Sequence, residues 1–191
     1  MKFVYLAVVL TASLLFYVLW PAPTVTNYPS SGTDIIAFGD SLIAGVGATD
    51  GGDLVARLEN EIGQSIINLG VSGDTTSDGL ARISDLDEYN PKVVILLLGG
   101  NDAIKRTPIE ETKANLGQLI EEIHSTGAVV LLLGVRSGIL SDQYDSMFAE
   151  LAEEYGTAYE PNILQGVLGR PRLMADPIHP NDEGYFIIAE R

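Results

Sequence analysis

From Asp34 onward, short runs of β-branched residues and leucine alternate with longer amphipathic stretches. This alternation is typical of a parallel β-sheet, because parallel strands are buried on both faces and are connected by helices. We predict five strands, at residues 35–38, 65–69, 92–98, 128–135 and 157–160. The sequence therefore predicts an α/β fold, a three-layer α/β/α sandwich around a five-stranded parallel sheet.

The clearest helix boundary lies between the third and fourth predicted strands. Thr107 supplies an N-cap hydroxyl, Pro108 the first helical residue and Glu110 the partner of a capping box. Apolar residues follow at helical spacing until Gly127, a residue that readily ends a helix. We predict a helix over this range with one apolar stripe against the sheet, formed by Ile109, Leu116, Leu119, Ile120 and Ile123.

The first part of the chain bears on the location of the protein. Lys2 precedes an apolar run over residues 3–20 that only Thr11 and Ser13 interrupt. The run is nearly long enough to cross a bilayer, and no good small-x-small cleavage site follows it. We predict that residues 1–20 are a membrane anchor or a cleaved signal peptide, with a buried core helix as the remaining alternative. Both leading alternatives place the domain outside the cytoplasm, and an anchor would associate it with a membrane.

Composition limits the domain count and the classes of function. Residues 21–32, rich in Pro, Ser, Thr and Asn, are predicted to be a linker, and residues 33–191 suffice for a single domain. A formal net charge of −15 argues against nucleic-acid binding, and the absence of cysteine excludes disulfides and thiolate catalysis. The glycines at 45 and 47 match neither a Walker A loop nor a dinucleotide fingerprint. No feature of the sequence indicates an oligomeric state.

Polar motifs follow three of the predicted strands and precede the last predicted helix. They are GDSL at 39–42, GVSGD at 70–74, GGND at 99–102 and DPIH at 176–179. In an open parallel sheet, ligands bind beyond the carboxyl ends of the strands. We therefore expect these four motifs to form one site.

Ser41 and His179 have the chemistry of a nucleophile and its base. A serine hydroxyl attacks a carbonyl near neutral pH only when a neighbouring base removes its proton. His179 lies three residues after Asp176, a carboxylate that can fix the tautomer of the ring. His124, the other histidine, lies near the end of the predicted helix, where we expect a surface residue. Taken alone, Ser41 could equally cap a helix and His179 could bond only to backbone.

Acyl transfer also needs donors for the oxyanion that forms when a carbonyl is attacked. Gly99 and Gly100 permit a tight turn that can direct the amide of Asn101 into the cleft, although an ordinary turn is the alternative. Backbone N–H groups of Ser41 and of a glycine after the second strand would complete an oxyanion hole.

Segments 39–42, 68–75, 99–102 and 176–181 resemble, in order, the successive sequence blocks of SGNH (GDSL) hydrolases. The chain looks most similar to the bacterial arylesterase, thioesterase I and lysophospholipase group, partly through residues 79–82. The resemblance implies a flavodoxin-like three-layer fold and a catalytic triad of Ser41, His179 and Asp176. It implies no metal or organic cofactor.

The resemblance also implies three oxyanion donors, Ser41, Gly73 and Asn101. Gly73 is chosen over Gly70 because residues 72–75 align with the corresponding run of the thioesterase group, which leaves Gly70 as a turn residue. Asp40 and Asp102 are then expected to organise loops. Residues 137–144, which border the acyl pocket in relatives, match poorly, so the resemblance leaves the preferred acyl chain length open.

The expected function is hydrolysis of small acyl esters or lipid-like substrates through an acyl-enzyme. Thioesters and lysophospholipids are further substrates that the resemblance allows. The alternatives are a carbohydrate acetyl esterase with the same site and a non-catalytic binding domain. No long apolar insertion that could form a lid lies between the four motifs, which favours short to medium acyl chains.

Overall fold

The computed structural model describes residues 24–135 and 142–191. Its strands are β1 (Asp34–Gly39), β2 (Ile66–Gly70), β3 (Pro91–Leu97), β4 (Val129–Leu133) and β5 (Ala158–Glu160). They form one sheet in the order β2-β1-β3-β4-β5, and every neighbouring pair is parallel. The predicted α/β fold is confirmed, and each strand boundary lies within two residues of its predicted position.

Helices cover both faces of this sheet. They are α1 (Leu54–Ile62), α2 (Thr76–Ala81), α3 (Gly100–Lys105), α4 (Ile109–Ser125), α5 (Asp142–Tyr155) and α6 (Asp182–Ala189), with short 3-10 helices at Ile83–Glu88 and Pro171–Leu173. Buried residues of α4 and α5 pack in the core on one face, and those of α1 and α6 pack on the other.

Alternate side chains of the central strands enter opposite halves of the core. In β1, Ile36 and Phe38 pack with α4 and α5, whereas Ala37 packs with α1 and α6. All three residues are fully buried. Because both faces of the sheet are covered, the central strands appear in the sequence as nearly continuous apolar runs.

Helix α4 differs from its prediction at the amino end. Pro108 is its N-cap and no side chain caps it, so the predicted capping box of Thr107 and Glu110 is wrong. The N–H of Thr107 instead donates to the carbonyl of Asp102, which makes Thr107 part of the connection from α3. At the other end, Gly127 has the left-handed conformation expected of a helix-ending glycine, with φ of 85°. The apolar stripe is confirmed by four fully buried side chains, Leu116, Leu119, Ile120 and Ile123.

Residues 24–32, the described part of the predicted linker, are bonded to the domain. The N–H of Thr26 donates to the carbonyl of Gly156, and the hydroxyl of Ser30 donates to the carbonyl of Gly127. The side-chain amide of Asn27 donates to the carbonyls of His124 and Ala128. These bonds hold the segment beside the amino ends of β4 and β5. The segment therefore differs from a free connector.

The predicted anchor or signal, residues 1–20, lies outside the described residues, as do residues 137–141 of the poorly matching segment 137–144. Among the helices that lie within 24–135 and 142–191, none combines the length and apolar character that a bilayer crossing requires. The division of the chain at residues 20 and 32 stays a prediction.

Candidate active site

Ser41 lies in the turn that follows β1. The turn is closed by hydrogen bonds from the N–H of Ala44 to the carbonyl of Asp40, at 2.9 Å, and from the N–H of Val46 to the carbonyl of Ser41, at 3.0 Å. Gly39 is needed here because a Cβ at this position would lie 2.3 Å from the carbonyl oxygen of Leu97. The strand end and the tight turn together bring Ser41 to the edge of the sheet, where it lines a cleft.

His179 contacts both Ser41 and Asp176. Its Nε2 lies 3.0 Å from Ser41 Oγ, and its Nδ1 lies 2.6 Å from Asp176 Oδ2. The other carboxylate oxygen accepts the backbone N–H groups of Ile178 and His179 at 2.9 and 2.8 Å. These bonds, the one to the His179 ring foremost, lower the pKa of Asp176 to about 2. The ionised carboxylate accepts from Nδ1–H, which leaves Nε2 free to accept the hydroxyl proton of Ser41.

The loop that carries His179 packs tightly against the turn after Ser41. Ala175 N–H donates to the carbonyl of His179 at 2.9 Å, which closes the loop. Gly47 faces this loop with φ of 95°, and a Cβ there would lie 2.4 Å from the Pro180 carbonyl oxygen and 3.2 Å from the His179 Cβ. A side chain at position 47 would therefore displace the histidine. The sequence around Gly47, which matches no nucleotide-binding motif, does not indicate this packing role, because the contact is made with a loop more than 120 residues away.

Asn101 lies in the first turn of α3 and lines the same cleft as Ser41 and His179. The helix follows Gly99, whose φ of 109° makes the turn from β3 possible. The amide nitrogen of Asn101 donates to the carbonyl of Asp74 at 2.9 Å, which orients the side chain and leaves its second N–H available.

The two glycines of the second loop have different surroundings. Gly73 precedes Asp74 and has φ of 91°. A Cβ added at this position would lie in open space, with no other atom within 4 Å. Gly73 is not among the described residues that line the cleft. At Gly70, by contrast, a Cβ would lie 2.3 Å from the N atom of Ala44, so this glycine lets β2 pack against the turn after Ser41. The expected oxyanion donors therefore lie in loops that follow the neighbouring strands β2, β1 and β3, and of the three Ser41 and Asn101 line the cleft.

Two buried carboxylates hold the loops around the site. Asp40 is 3% exposed and accepts the N–H of Leu42 at 3.0 Å. Asp102 is 1% exposed and accepts the N–H and the hydroxyl of Thr76 at 2.9 and 2.6 Å, which ties α3 to α2. Burial raises the pKa of Asp40 from 3.8 to about 7, although the bond from Leu42 opposes this change.

The raised pKa of Asp40 predicts a pH dependence of stability. Between about pH 4 and pH 7 the unfolded chain releases this proton and the folded protein retains it, so folding becomes less favourable as pH rises. An asparagine at this position would not titrate. In urea unfolding, the stability of the wild type relative to Asp40→Asn should therefore fall by about 4 kcal/mol from pH 4 to pH 8. Parallel stability curves for the two proteins would contradict the assignment.

The cleft beside Ser41 has a volume of about 300 Å³. Its polar lining is Asp40, Ser41, Asn101 and His179, and its apolar lining includes Leu42, Ile104, Val135, Leu164, Leu168 and Ile178. An apolar wall next to a hydroxyl–imidazole pair can accommodate the hydrocarbon part of an acyl chain and place the ester carbonyl at the serine.

Within residues 24–135 and 142–191, no group of three or more His, Asp or Glu side chains is placed to hold a metal ion.

Comparisons with other proteins agree with this architecture. The GDSL-like Lipase/Acylhydrolase family matches residues 37–187. An arylesterase of Vibrio mimicus is 34% identical over 142 residues, which cover 71% of this chain and 71% of that protein. Esterase TesA of Pseudomonas aeruginosa is 31% identical over 158 residues, which cover 76% of this chain and 79% of the esterase.

Solved structures show the same fold. The crystal structure of TesA matches with a TM-score of 0.78 and 30% identity, over 83% of this chain and 94% of TesA. AlinE4, an SGNH-hydrolase family esterase, matches with a TM-score of 0.70 and 37% identity, over 79% of this chain and 88% of AlinE4. The predicted family resemblance is thereby confirmed. The chain belongs to the GDSL-like lipase/acylhydrolase (SGNH hydrolase) family and is a carboxylic ester hydrolase.

Proposed function

We propose that the protein hydrolyses carboxylic esters with Ser41 as nucleophile, His179 as general base and acid, and Asp176 as the carboxylate that orients the ring. The observation that carries this proposal is the continuous series of contacts from Asp176 through His179 to Ser41, with separations of 2.6 and 3.0 Å. The 3.0 Å contact is within reach for proton transfer from Ser41 to His179, and the 2.6 Å contact lets the carboxylate of Asp176 orient the ring.

In the acylation step, Ser41 Oγ bonds to the carbonyl carbon while His179 Nε2 takes the hydroxyl proton. The resulting oxyanion accepts the backbone N–H groups of Ser41 and Gly73 and the amide of Asn101. The C–O bond to the leaving group then breaks as Nε2 returns its proton to the departing alcohol. Water then attacks the acyl carbon while His179 Nε2 takes its proton. The bond from this carbon to Ser41 Oγ breaks as Nε2 returns the proton to Oγ, which releases the carboxylic acid and restores Ser41. Asp176 stays ionised throughout.

Covalent labelling tests the nucleophile directly. A fluorophosphonate should react with Ser41, because such reagents require an activated hydroxyl, and peptide mapping should find the adduct on this residue alone. Ser41→Ala should abolish labelling. The matched control is Ser72→Ala, which removes an exposed hydroxyl from a neighbouring loop and should leave labelling unchanged. An unlabelled wild-type protein would favour a non-catalytic binding domain.

Asn101→Ala tests the oxyanion role of the amide. We expect kcat for a p-nitrophenyl ester to fall by about 10²- to 10³-fold, because one donor to the developing charge is lost. KM should change little, since the donor acts mainly in the transition state. Asn60→Ala is the control: this amide is exposed on α1, donates to the Ala56 carbonyl and should be dispensable. An unchanged kcat for Asn101→Ala would remove the side chain from the proposed oxyanion hole.

The proposed substrates are acyl esters with short to medium acyl chains. The apolar cleft of about 300 Å³ supports this class. The resemblance to the thioesterase I and lysophospholipase group adds thioesters and lysophospholipids as candidates. A series of p-nitrophenyl esters from acetyl to palmitoyl keeps the leaving group constant, and we expect the highest kcat/KM below ten carbons. An optimum at palmitoyl would contradict the proposed chain length.

We also propose that residues 1–20 direct the hydrolase domain, residues 33–191, out of the cytoplasm. The nearly uninterrupted apolar character of the run supports this proposal. Intact mass and cell fractionation of the full chain distinguish the alternatives, because an anchor is retained with the membrane and a signal peptide is removed. Full-length protein in the cytosolic fraction would contradict both.

A further inference from the structure

Arg82 lies behind the proposed oxyanion hole. Its side chain is 17% exposed, and it does not belong to the cleft lining that the described residues form. Its Nε donates to the carboxylate of Asp74 at 2.6 Å, and its Nη2 donates to the carbonyl of Gly39 at 3.0 Å. The guanidinium lies over the ring of Phe38, 4.0 Å from the ring centroid.

These contacts join the segments that carry all three proposed oxyanion donors. Gly39 lies two residues before Ser41, so the bond to its carbonyl fixes the start of the turn that carries Ser41. Asp74 directly follows Gly73, and its carbonyl accepts the amide of Asn101. One guanidinium therefore contacts the backbone leading to Ser41 and the residue that connects Gly73 with Asn101.

The chemistry of arginine suits this arrangement. A guanidinium presents its donors in a rigid planar fork, so two of them fix the separation between a carboxylate and a carbonyl. The Phe38 ring below the plane resists displacement of the group. A lysine ammonium has a flexible stem and one charged atom, and it cannot reproduce both bonds at the same geometry.

We infer that Arg82 is a positioning residue that sets the spacing of the oxyanion donors. The inference rests on the proposed function, since it concerns the same site. The competing explanation is purely structural: Arg82 also follows the last residue of α2, where a cation favours the helix dipole, and lies 3.8 Å from Asp85. A structural role predicts lower thermal stability alone, whereas a positioning role predicts a slower chemical step that depends on Asn101.

The test is a double-mutant cycle of Arg82→Met with Asn101→Ala, measured as kcat and KM on p-nitrophenyl butyrate. In the wild-type background we expect Arg82→Met to lower kcat by about 10- to 100-fold, because displaced donors stabilise the oxyanion less. KM should stay within about threefold. In the Asn101→Ala background the same change should lower kcat by less than about threefold, since both substitutions impair one donor set.

Two further readouts separate positioning from folding. The pH profile of kcat/KM should keep its shape in Arg82→Met, because no contact of Arg82 described above involves His179 or Asp176. Arg82→Lys should not restore kcat. Arg57→Met is the matched control. The guanidinium of Arg57 lies 5.4 Å from the centroid of the Phe186 ring and donates to the carbonyls of Gly52 and Asp182. These contacts lie at α1 and α6, on the other face of the sheet. Arg57→Met should lower Tm and leave kcat within about twofold.

A folded Arg82→Met with kcat within about twofold of wild type overturns the inference, and so do fully additive losses in the cycle. If Arg82→Met does not fold, Asp74→Asn completes the same cycle, because it removes the ionic partner of Arg82 and keeps the carbonyl that holds Asn101. Ser41→Ala distinguishes failure of the proposed function from failure of the positioning role of Arg82. Turnover by that variant overturns the proposed function. If Ser41→Ala is inactive, Asn101→Ala has a lowered kcat and Arg82→Met has the kcat of wild type, only the positioning role is overturned.

Discussion

Ser41→Ala is expected to lower kcat for a p-nitrophenyl acyl ester by about 10⁴- to 10⁶-fold. The substitution removes the atom that bonds to the carbonyl carbon, and the remaining oxyanion donors then act on a water molecule. The fold should be retained, because the backbone bond from the N–H of Val46 to the carbonyl of Ser41 does not involve the side chain. Stopped-flow or steady-state kinetics together with a thermal melt would measure both effects.

Ser72→Ala controls for this experiment as it does for labelling, because it makes the same chemical change at an exposed position. Its kcat should equal that of the wild type. Near-normal turnover by Ser41→Ala would refute the proposed mechanism, and a large loss of Tm in that variant would contradict the expectation that the side chain has no structural role.

Asp176→Asn is expected to lower kcat by about 10⁴-fold. The backbone N–H groups of Ile178 and His179 need an oxygen acceptor, so they select the orientation in which the asparagine oxygen replaces Oδ1. Its amide nitrogen then faces His179 Nδ1 and donates to it. That bond moves the ring proton to Nε2, which can no longer accept the proton of Ser41.

Asp182→Asn is the matched control. Asp182 lies three residues after His179 and accepts the N–H and the hydroxyl of Thr49, so the same substitution is made near the same loop without a contact to the ring. Its kcat should stay close to wild type, while thermal melts report any loss of stability in either variant. A loss below about tenfold in Asp176→Asn would show that the carboxylate does not control the tautomer.

The sheet and the polar residues of the site could be predicted because local sequence determines them. Buried parallel strands require long apolar runs, and the polar residues that follow such strands meet at one edge of the sheet. Ser41 and Asn101 were predicted on this basis, and His179 from its spacing to Asp176 in the loop before the last helix; all three line one cleft. Their chemical roles stay a prediction that the variants above test.

Contacts between distant parts of the chain could not be predicted in the same way. Leu164 and Leu168, in the connection after β5, contribute to the apolar wall of the cleft, although nothing in their own sequence pattern indicates a cleft. The role of Gly47 depends on how closely the loop of His179 approaches it. The expected cap at Thr107 is absent because the helix begins one residue later, with Pro108 as its N-cap, and the N–H of Thr107 donates to the carbonyl of Asp102.

His124 shows how a remote segment changes a local expectation. Its place near the end of α4 indicates a surface residue, yet burial lowers its pKa, and its Nε2 has no hydrogen-bond partner among the described residues. The amide of Asn27 donates to its carbonyl, so residues 24–32 lie against this end of the helix. A pattern within α4 contains no information about a contact with a segment almost a hundred residues away.

The bonds that hold residues 24–32 beside the amino ends of β4 and β5 also set the direction in which the domain can be tethered. The cleft lies at the carboxyl ends of the strands, so residues 24–32 and the substrate entrance lie at opposite ends of the strands. Coupling the protein to a bead through its amino-terminal side would thus orient every molecule with its entrance toward the bulk solution, whereas coupling through Lys105 near the mouth would obstruct it.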